Sequence, residues 1–324
     1  RKAYYNGLLY FGHNFYNQSK DNKTIVNTQF YATEASSFKL SILTNSRTLL
    51  NKLLLIFWLA LQFGGFGSRA RRCFGNLKIL SEKEIPLDQK TFSFKNTYSD
   101  IEDYKDIVKK NLKIIKQEFG ISSEMGETTK KIPCLKDAQL FYSKPYSPED
   151  EKNNKKSTSQ MADAFKNSSL FKEEDDSSWI KAINYAGATM QIFRSLKNPD
   201  HDAVHDFSSL NKLERAAFGL PLEFRFTDRS KVSKVSVNHY NENDEATRFA
   251  SPVIVSTTEI GNDLYVQYLI LPFDFNELNV KASNGGTPKK IKIDDSVIDQ
   301  FKHRLENPHK DYIKFKYEEL KNAF

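Results

Sequence analysis

Residues 57–79 read FWLALQFGGFGSRARRCFGNLKI, and the folding of this stretch decides how its neighbours are read. Gly64, Gly65, Gly67 and Gly75 stand among Ser68, Arg69, Arg71 and Arg72, between an apolar run and the short segment 76–80. Glycine reaches positive φ and leaves bare N–H groups that approach an anion closely. Arginine adds a permanent charge in a planar fork that matches phosphate oxygens. The combination predicts a loop that holds a polyanionic backbone.

Working outward, Thr44, Asn45 and Ser46 are N-cap candidates for a helix running to about Phe63. Gly64 stands where a C′ glycine would end it. Segments 5–11 and 30–43 predict strands, the second because Phe38, Leu40 and Ile42 alternate with Lys39 and Ser41. The polar stretch 17–27 between them suits a long hairpin loop, and 76–80 predicts a strand with Leu77 and Ile79 on one face. Strand, strand, helix, glycine loop and strand is the order of a ferredoxin-like β-α-β-β-α-β unit without its opening strand and helix. The chain opens on Arg1 rather than Met, so those elements are expected upstream.

Residues 99–119 predict an amphipathic helix with Ile101, Tyr104, Ile107, Val108, Leu112 and Ile115 on one side. The stretch 143–178 is rich in Lys, Asn, Ser, Asp and Glu and reads as a flexible or inserted segment. A helix over 179–196, capped by Ser177 or Ser178, precedes strands at 222–227, 231–240, 252–257 and 264–271. The last two suit a hairpin through Gly261-Asn262, and a charged helix follows from about Asp294. The expected fold class is α+β, with tandem ferredoxin-like (RRM-like) units carrying helical insertions. The sequence divides into 1–90 with the glycine loop, an insertion at 91–178, a second unit at 179–290 and a terminal helix at 291–324.

Composition sets outer bounds. The 324 residues include 25 Phe and 15 Tyr, enough large side chains for real cores. A formal charge of +7 fits a nucleic-acid or anionic partner, although the excess is modest for this length. Cys73 and Cys134 lie far apart without metal spacing, which points away from a disulfide framework and toward a reducing cytoplasm. The apolar run 53–61 is too short to span a bilayer, and no signal peptide is visible.

Other candidate chemistry is thin. Gly65-x-Gly67-x-x-Ala70 matches a loose dinucleotide fingerprint, but the strand and helix around it stand in the wrong order. His201 and His205, at i and i+4, offer a metal pair without a third ligand nearby, in surroundings that read as a polar surface turn. His13 is the histidine nearest the glycine loop, and no Ser/His/Asp or Cys/His nucleophile pattern is present. No cofactor, metal or catalytic residue is therefore assigned. Phe66 and Phe74 either stack on bases or anchor the loop to the core. Arg215 and Arg248 either contact RNA or pair with acids such as Glu214 and Glu223.

The stretch 57–79 resembles the glycine-rich loop of the RAMP superfamily of CRISPR proteins, and in particular the family of first subunits of the type III-B (Cmr) effector complex. In that family a helix leads into Gly-Gly-hydrophobic-Gly, alternating arginines, Phe-Gly and a strand. Cys73 stands where the family usually has glycine. Glu214-Arg215-Ala216-Ala217-Phe218-Gly219-Leu220-Pro221-Leu222-Glu223-Phe224 and Arg248-Phe249-Ala250-Ser251-Pro252-Val253-Ile254 are similar to the same family's second half, and Trp179, Ala182 and Arg194 resemble the preceding helix. The matches cover roughly 5–80 and 175–275; the family's opening strand and Trp/Arg-rich helix are not in this chain. The resemblance implies a non-catalytic RNA-binding subunit of a cytoplasmic ribonucleoprotein that holds guide RNA near its 3′ end. It would serve antiviral defence against foreign RNA, with guide RNA, target RNA and other RAMP subunits as partners and no membrane. The alternative is a RAMP endoribonuclease that processes guide precursors. The RNA-binding set is then Gly64, Gly65, Phe66, Gly67, Ser68, Arg69, Arg71, Arg72, Phe74, Gly75, Arg215 and Arg248.

Overall fold

The helix that opens the deciding stretch forms where its cap requires. In the computed structural model α1 spans Arg47–Phe63, and Ser46 Oγ accepts the N–H of Leu49 at 3.2 Å. Leu55 and Trp58 on its inner face are at most 1% exposed, each burial contributing about 2–3 kcal/mol. The structure describes residues 11, 16–18, 25–27, 37–67, 70–80, 83–87, 90–121, 135, 137–144, 178–195, 198–226, 234–307 and 318–321.

Fifteen strands and five α-helices are described. Two small antiparallel pairs join β1 (Tyr16–Gln18) to β2 (Ile25–Asn27) and β3 (Lys83–Leu87) to β4 (Lys90–Phe94). A five-stranded sheet contains β5 (Thr97–Tyr98), β6 (Gln139–Ser143), β11 (Val253–Ile260), β12 (Asp263–Ile270) and β15 (Glu318–Glu319) in the order β15-β6-β12-β11-β5. A second sheet contains β7 (Lys212–Leu213), β9 (Lys234–Tyr240), β10 (Ala246–Thr247), β13 (Val280–Ser283) and β14 (Lys289–Ile293) in the order β10-β9-β13-β14-β7, with β8 (Leu222–Arg225) also on β9. The remaining helices are α2 (Ile101–Glu118), α3 (Ser178–Ser195), α4 (Asn198–His205) and α5 (Ser296–Glu306). The fold class is α+β.

β11 and β12 form the expected hairpin, with Ile260 opposite Asp263 across Gly261-Asn262 and Gly261 at φ +61°. Its alternation fills two cores. Val253, Val255, Val266, Tyr268 and Ile270 join a cluster with α3 and α5, and Tyr268 Oη donates to Ala186 O at 2.6 Å. Ile260, Leu269 and Leu271 pack with Leu55 and Trp58 of α1 and Tyr104, Val108 and Leu112 of α2. A sheet covered on both faces needs apolar residues at successive positions, which explains the run LYVQYLI. Gln267 is its buried exception, and its Oε1 accepts from Gln62 Nε2 at 3.4 Å and Tyr104 Oη at 3.3 Å.

Several expectations are corrected. The described part of the segment 30–43, residues 37–43, forms no strand, and Phe38 and Leu40 are 70% and 52% exposed. Alternation does not make a strand without a partner, and no described strand pairs with these residues. Residues 76–79 form no strand. Asn96 holds them instead, accepting the Ile79 N–H at 3.0 Å and donating to Leu77 O at 2.6 Å. The polar stretch 17–27 contains the β1–β2 pair itself, whereas residues 5–10 lie outside the described set. The β3–β4 pair lies where no strand was expected. The five-stranded sheet draws its strands from the sequence segments 91–178, 179–290 and 291–324.

Candidate nucleic-acid interface

The glycine-arginine stretch closes into a loop with a narrow neck. Gly64 ends α1 at φ −117°, outside the left-handed region, and its N–H donates to Ala60 O at 3.1 Å. A Cβ at Gly64 would stand 2.8 Å from Ala60 O, so close passage rather than a left-handed turn requires glycine there. Across the neck, Phe66 N–H donates to Gly75 O at 2.9 Å. A Cβ at Gly65 would meet Phe74 O at 2.8 Å, and one at Gly75 would lie 1.9 Å from Phe66 O. Asn76 Nδ2 braces the base from outside, reaching Gly64 O and Thr257 O at 3.4 Å each. Only Gly67 lies in open space, at φ +89°. Three of the four glycines thus close the loop, and the fourth faces open space.

The returning limb is fastened to β11. Val255 N–H donates to Arg71 O at 3.0 Å, and Cys73 N–H donates to Val255 O at 2.8 Å, making a parallel bridge at Arg72. Cys73 is 4% exposed and adopts φ +61°, a conformation that suits glycine. Burial pushes its thiol well above the usual range, so it is a packing group rather than a nucleophile. Cys73→Gly removes the backbone strain together with a small buried side chain and should change stability by less than about 1 kcal/mol. Cys73→Val should cost about 2 kcal/mol, because a β-branched residue tolerates this φ poorly. Chemical denaturation of the two variants checks the ordering.

The distant motif segments meet this limb. Leu220 and Phe249 exchange backbone hydrogen bonds at 2.9 and 3.2 Å, so the Phe-Gly-Leu-Pro and Arg-Phe-Ala-Ser-Pro segments pair directly. Gly219, at φ +111°, lets them approach, since a Cβ there would stand 3.3 Å from Phe249 O and from Ser251 N. Arg71 Nη1 donates to Ser251 O and ties the loop to the same corner. Residues 71–73, 219–221 and 249–255 therefore converge at the start of β11.

The expected site residues divide accordingly. Phe66 is 39% exposed with its ring 5.6 Å from Phe57, whereas Phe74 packs against the main core. Arg71 is exposed but braces the corner, Arg72 is half-buried, and Arg248 is exposed without an ion pair among the described residues. Ser68 and Arg69, like His13, lie outside the described residues. Arg215 sits elsewhere in kind, at the start of a 3-10 turn beside Asp200. That carboxylate, 3% exposed, accepts the N–H groups of Glu214 at 2.9 Å and Arg215 at 2.6 Å. Burial raises its pKa, opposed by those two bonds and by the Arg215 charge. Sequence reading missed Asp200, which stands in no motif, and the part of Ser251, whose backbone carbonyl rather than its side chain receives Arg71. His201 and His205 fall on helix α4 rather than in a turn, and no group of three metal-binding side chains occurs among the described residues.

No family model matches the sequence, and no curated protein sequence matches it. Among solved structures, the chain is similar to apo Cmr1 from Pyrococcus furiosus, at 11% identity and a TM-score of 0.42. The match covers 87% of this chain and 62% of that one, so the chain spans about three fifths of its neighbour's length. Among the described residues no helix is long and apolar enough to cross a membrane.

Proposed function

We propose that this chain is a non-catalytic RNA-binding subunit of RAMP type in a type III-B CRISPR effector particle. It holds guide RNA near the 3′ end against the glycine-arginine loop and contributes to defence against foreign RNA. The two sheets are read as tandem ferredoxin-like units, and neighbouring RAMP subunits and RNA are the partners. One observation carries the reading. The three segments that carry the family resemblance, far apart in sequence, are bound to one another at a single corner and present Phe66, Gly67 and Arg248 outward. Arg71 keeps its place in the site as the residue that holds the loop in position. Arg248 then contacts phosphate, with Arg69 and Arg72 beside it in the set.

Arg248 gives the cleanest test, because its exposed side chain holds no described element together. Arg248→Ala should weaken binding of single-stranded RNA about equally for unrelated sequences. It should lower the salt slope of log K by about 0.7, the value for one lost phosphate contact. The melting temperature should not move. An unchanged slope at unchanged stability would remove Arg248 from the interface and sink the phosphate-holding reading of this corner.

A further inference from the structure

α2 carries its charges in two blocks. Glu102, Asp103 and Asp106 occupy its first half together with Lys105, which pairs with Glu102 at 2.8 Å, and Lys109, Lys110, Lys113 and Lys116 stand in its second. Lys109, Lys110 and Lys113 are exposed, and among the described residues none of these four lysines is ion-paired. Asp106, one turn before them and also exposed, makes no ion pair either, and Glu118 lies on the helix beyond. The helix macrodipole accounts for a cation in the last turn, where Lys116 stands, but its influence fades beyond that turn. Lys109, Lys110 and Lys113 need another explanation.

Their surroundings supply one. Lys110 and Lys113 line a groove between α2 and β4 whose other walls are Thr91, Ile114 and Gln117. At the end of the helix Phe119 is 36% exposed, and Lys52 of α1 holds its ammonium 5.7 Å from that ring. Unpaired cations along a groove, with an exposed aromatic ring farther along the same helix, form the pattern that follows a single-stranded phosphate backbone. An acidic protein segment would satisfy the charges but would have no use for an aromatic ring.

We infer that the α2–β4 groove is a second track for the phosphate backbone of single-stranded RNA, separate from the glycine-arginine corner. The inference rests on the RNA-binding reading above. Lys110 and Lys113 contact phosphates, Thr91 and Gln117 supply neutral donors, and Phe119 takes a base.

The test uses the full chain and a fluorescent 20-nucleotide polyuridine, titrated at several salt concentrations. Lys110→Gln with Lys113→Gln should lower the salt slope by about 1.4, so a fourfold rise in salt costs this variant about sevenfold less affinity than the wild type. Lys290→Gln with Lys292→Gln removes the same charge from exposed positions of β14 and should leave the slope unchanged. Equal loss in both pairs, or no loss in the first, overturns the inference. So does a polyglutamate peptide that depends on Lys110 and Lys113 while RNA does not. The Arg248→Ala result separates the two sites. A slope that responds to Arg248 alone leaves the corner standing and removes the groove, and RNA that fails to bind the wild type removes both.

Discussion

Gly75→Ala should destabilise the protein by about 3–4 kcal/mol, whereas Gly67→Ala, eight residues earlier in the same loop, should cost only about 1–2 kcal/mol. Both glycines have positive φ, +75° and +89°, so both substitutions carry left-handed strain. The difference lies in what a methyl group would meet. At Gly67 it finds open space, and at Gly75 it would stand 1.9 Å from the carbonyl oxygen of Phe66. No side-chain rotation relieves a clash with backbone, so the neck must open and the Phe66–Gly75 hydrogen bond must break. Urea unfolding of both variants measures the gap. RNA affinity should follow it, with Gly75→Ala losing binding through loss of loop shape and Gly67→Ala retaining most of it. Equal destabilisation by the two changes would mean that the neck is not closed in solution.

This contrast bears on how much the sequence alone reveals. Elements set by local rules were legible. Ser46 and the apolar spacing marked α1, the alternation of Ile101, Tyr104 and Val108 marked α2, and Gly261-Asn262 marked the central hairpin. Residues whose role depends on a distant partner were not. Arg71 reads as one of three phosphate-binding arginines, yet its guanidinium serves the carbonyl of Ser251, 180 residues away. The alternation over 38–42 reads as a half-buried strand, yet no described strand pairs with it and Phe38 and Leu40 stay exposed. Asn96 and Asn111 carry no motif, although each holds a neighbouring segment with a side-chain amide that takes the place of a strand partner. That the glycine-arginine stretch forms a loop after a helix was legible, and the division of labour within it was not. Glycines that close a neck and a glycine that faces open space have the same letter, and only the closeness of the opposing backbone distinguishes them.

The corner also rests on a support that lies outside the resemblance. Asp200→Ala should cost about 3 kcal/mol near neutral pH, because the carboxylate accepts two backbone N–H groups at the start of the 215–218 turn. Removing it leaves both donors without their acceptor and Arg215 without its nearby countercharge. The turn leads through Gly219 to Leu220, which pairs with Phe249, so its loosening reaches the loop site by a continuous backbone. Asp200→Asn keeps one acceptor and should cost about 2 kcal/mol. The pH dependence tells which force governs the carboxyl. With burial dominant, its folded pKa lies above the unfolded value near 3.8, so the folded state binds the proton more tightly. Its contribution is then fully present below the unfolded pKa and declines as pH rises through the folded one. The stability margin of the wild type over Asp200→Asn should accordingly be largest at the acid end and narrow toward neutrality, measured by denaturant titrations across that range. A margin that grows with pH would show that the two N–H bonds and Arg215 outweigh burial, making the Asp200–Arg215 pair an ionic clasp and leaving Arg215 no part in holding RNA.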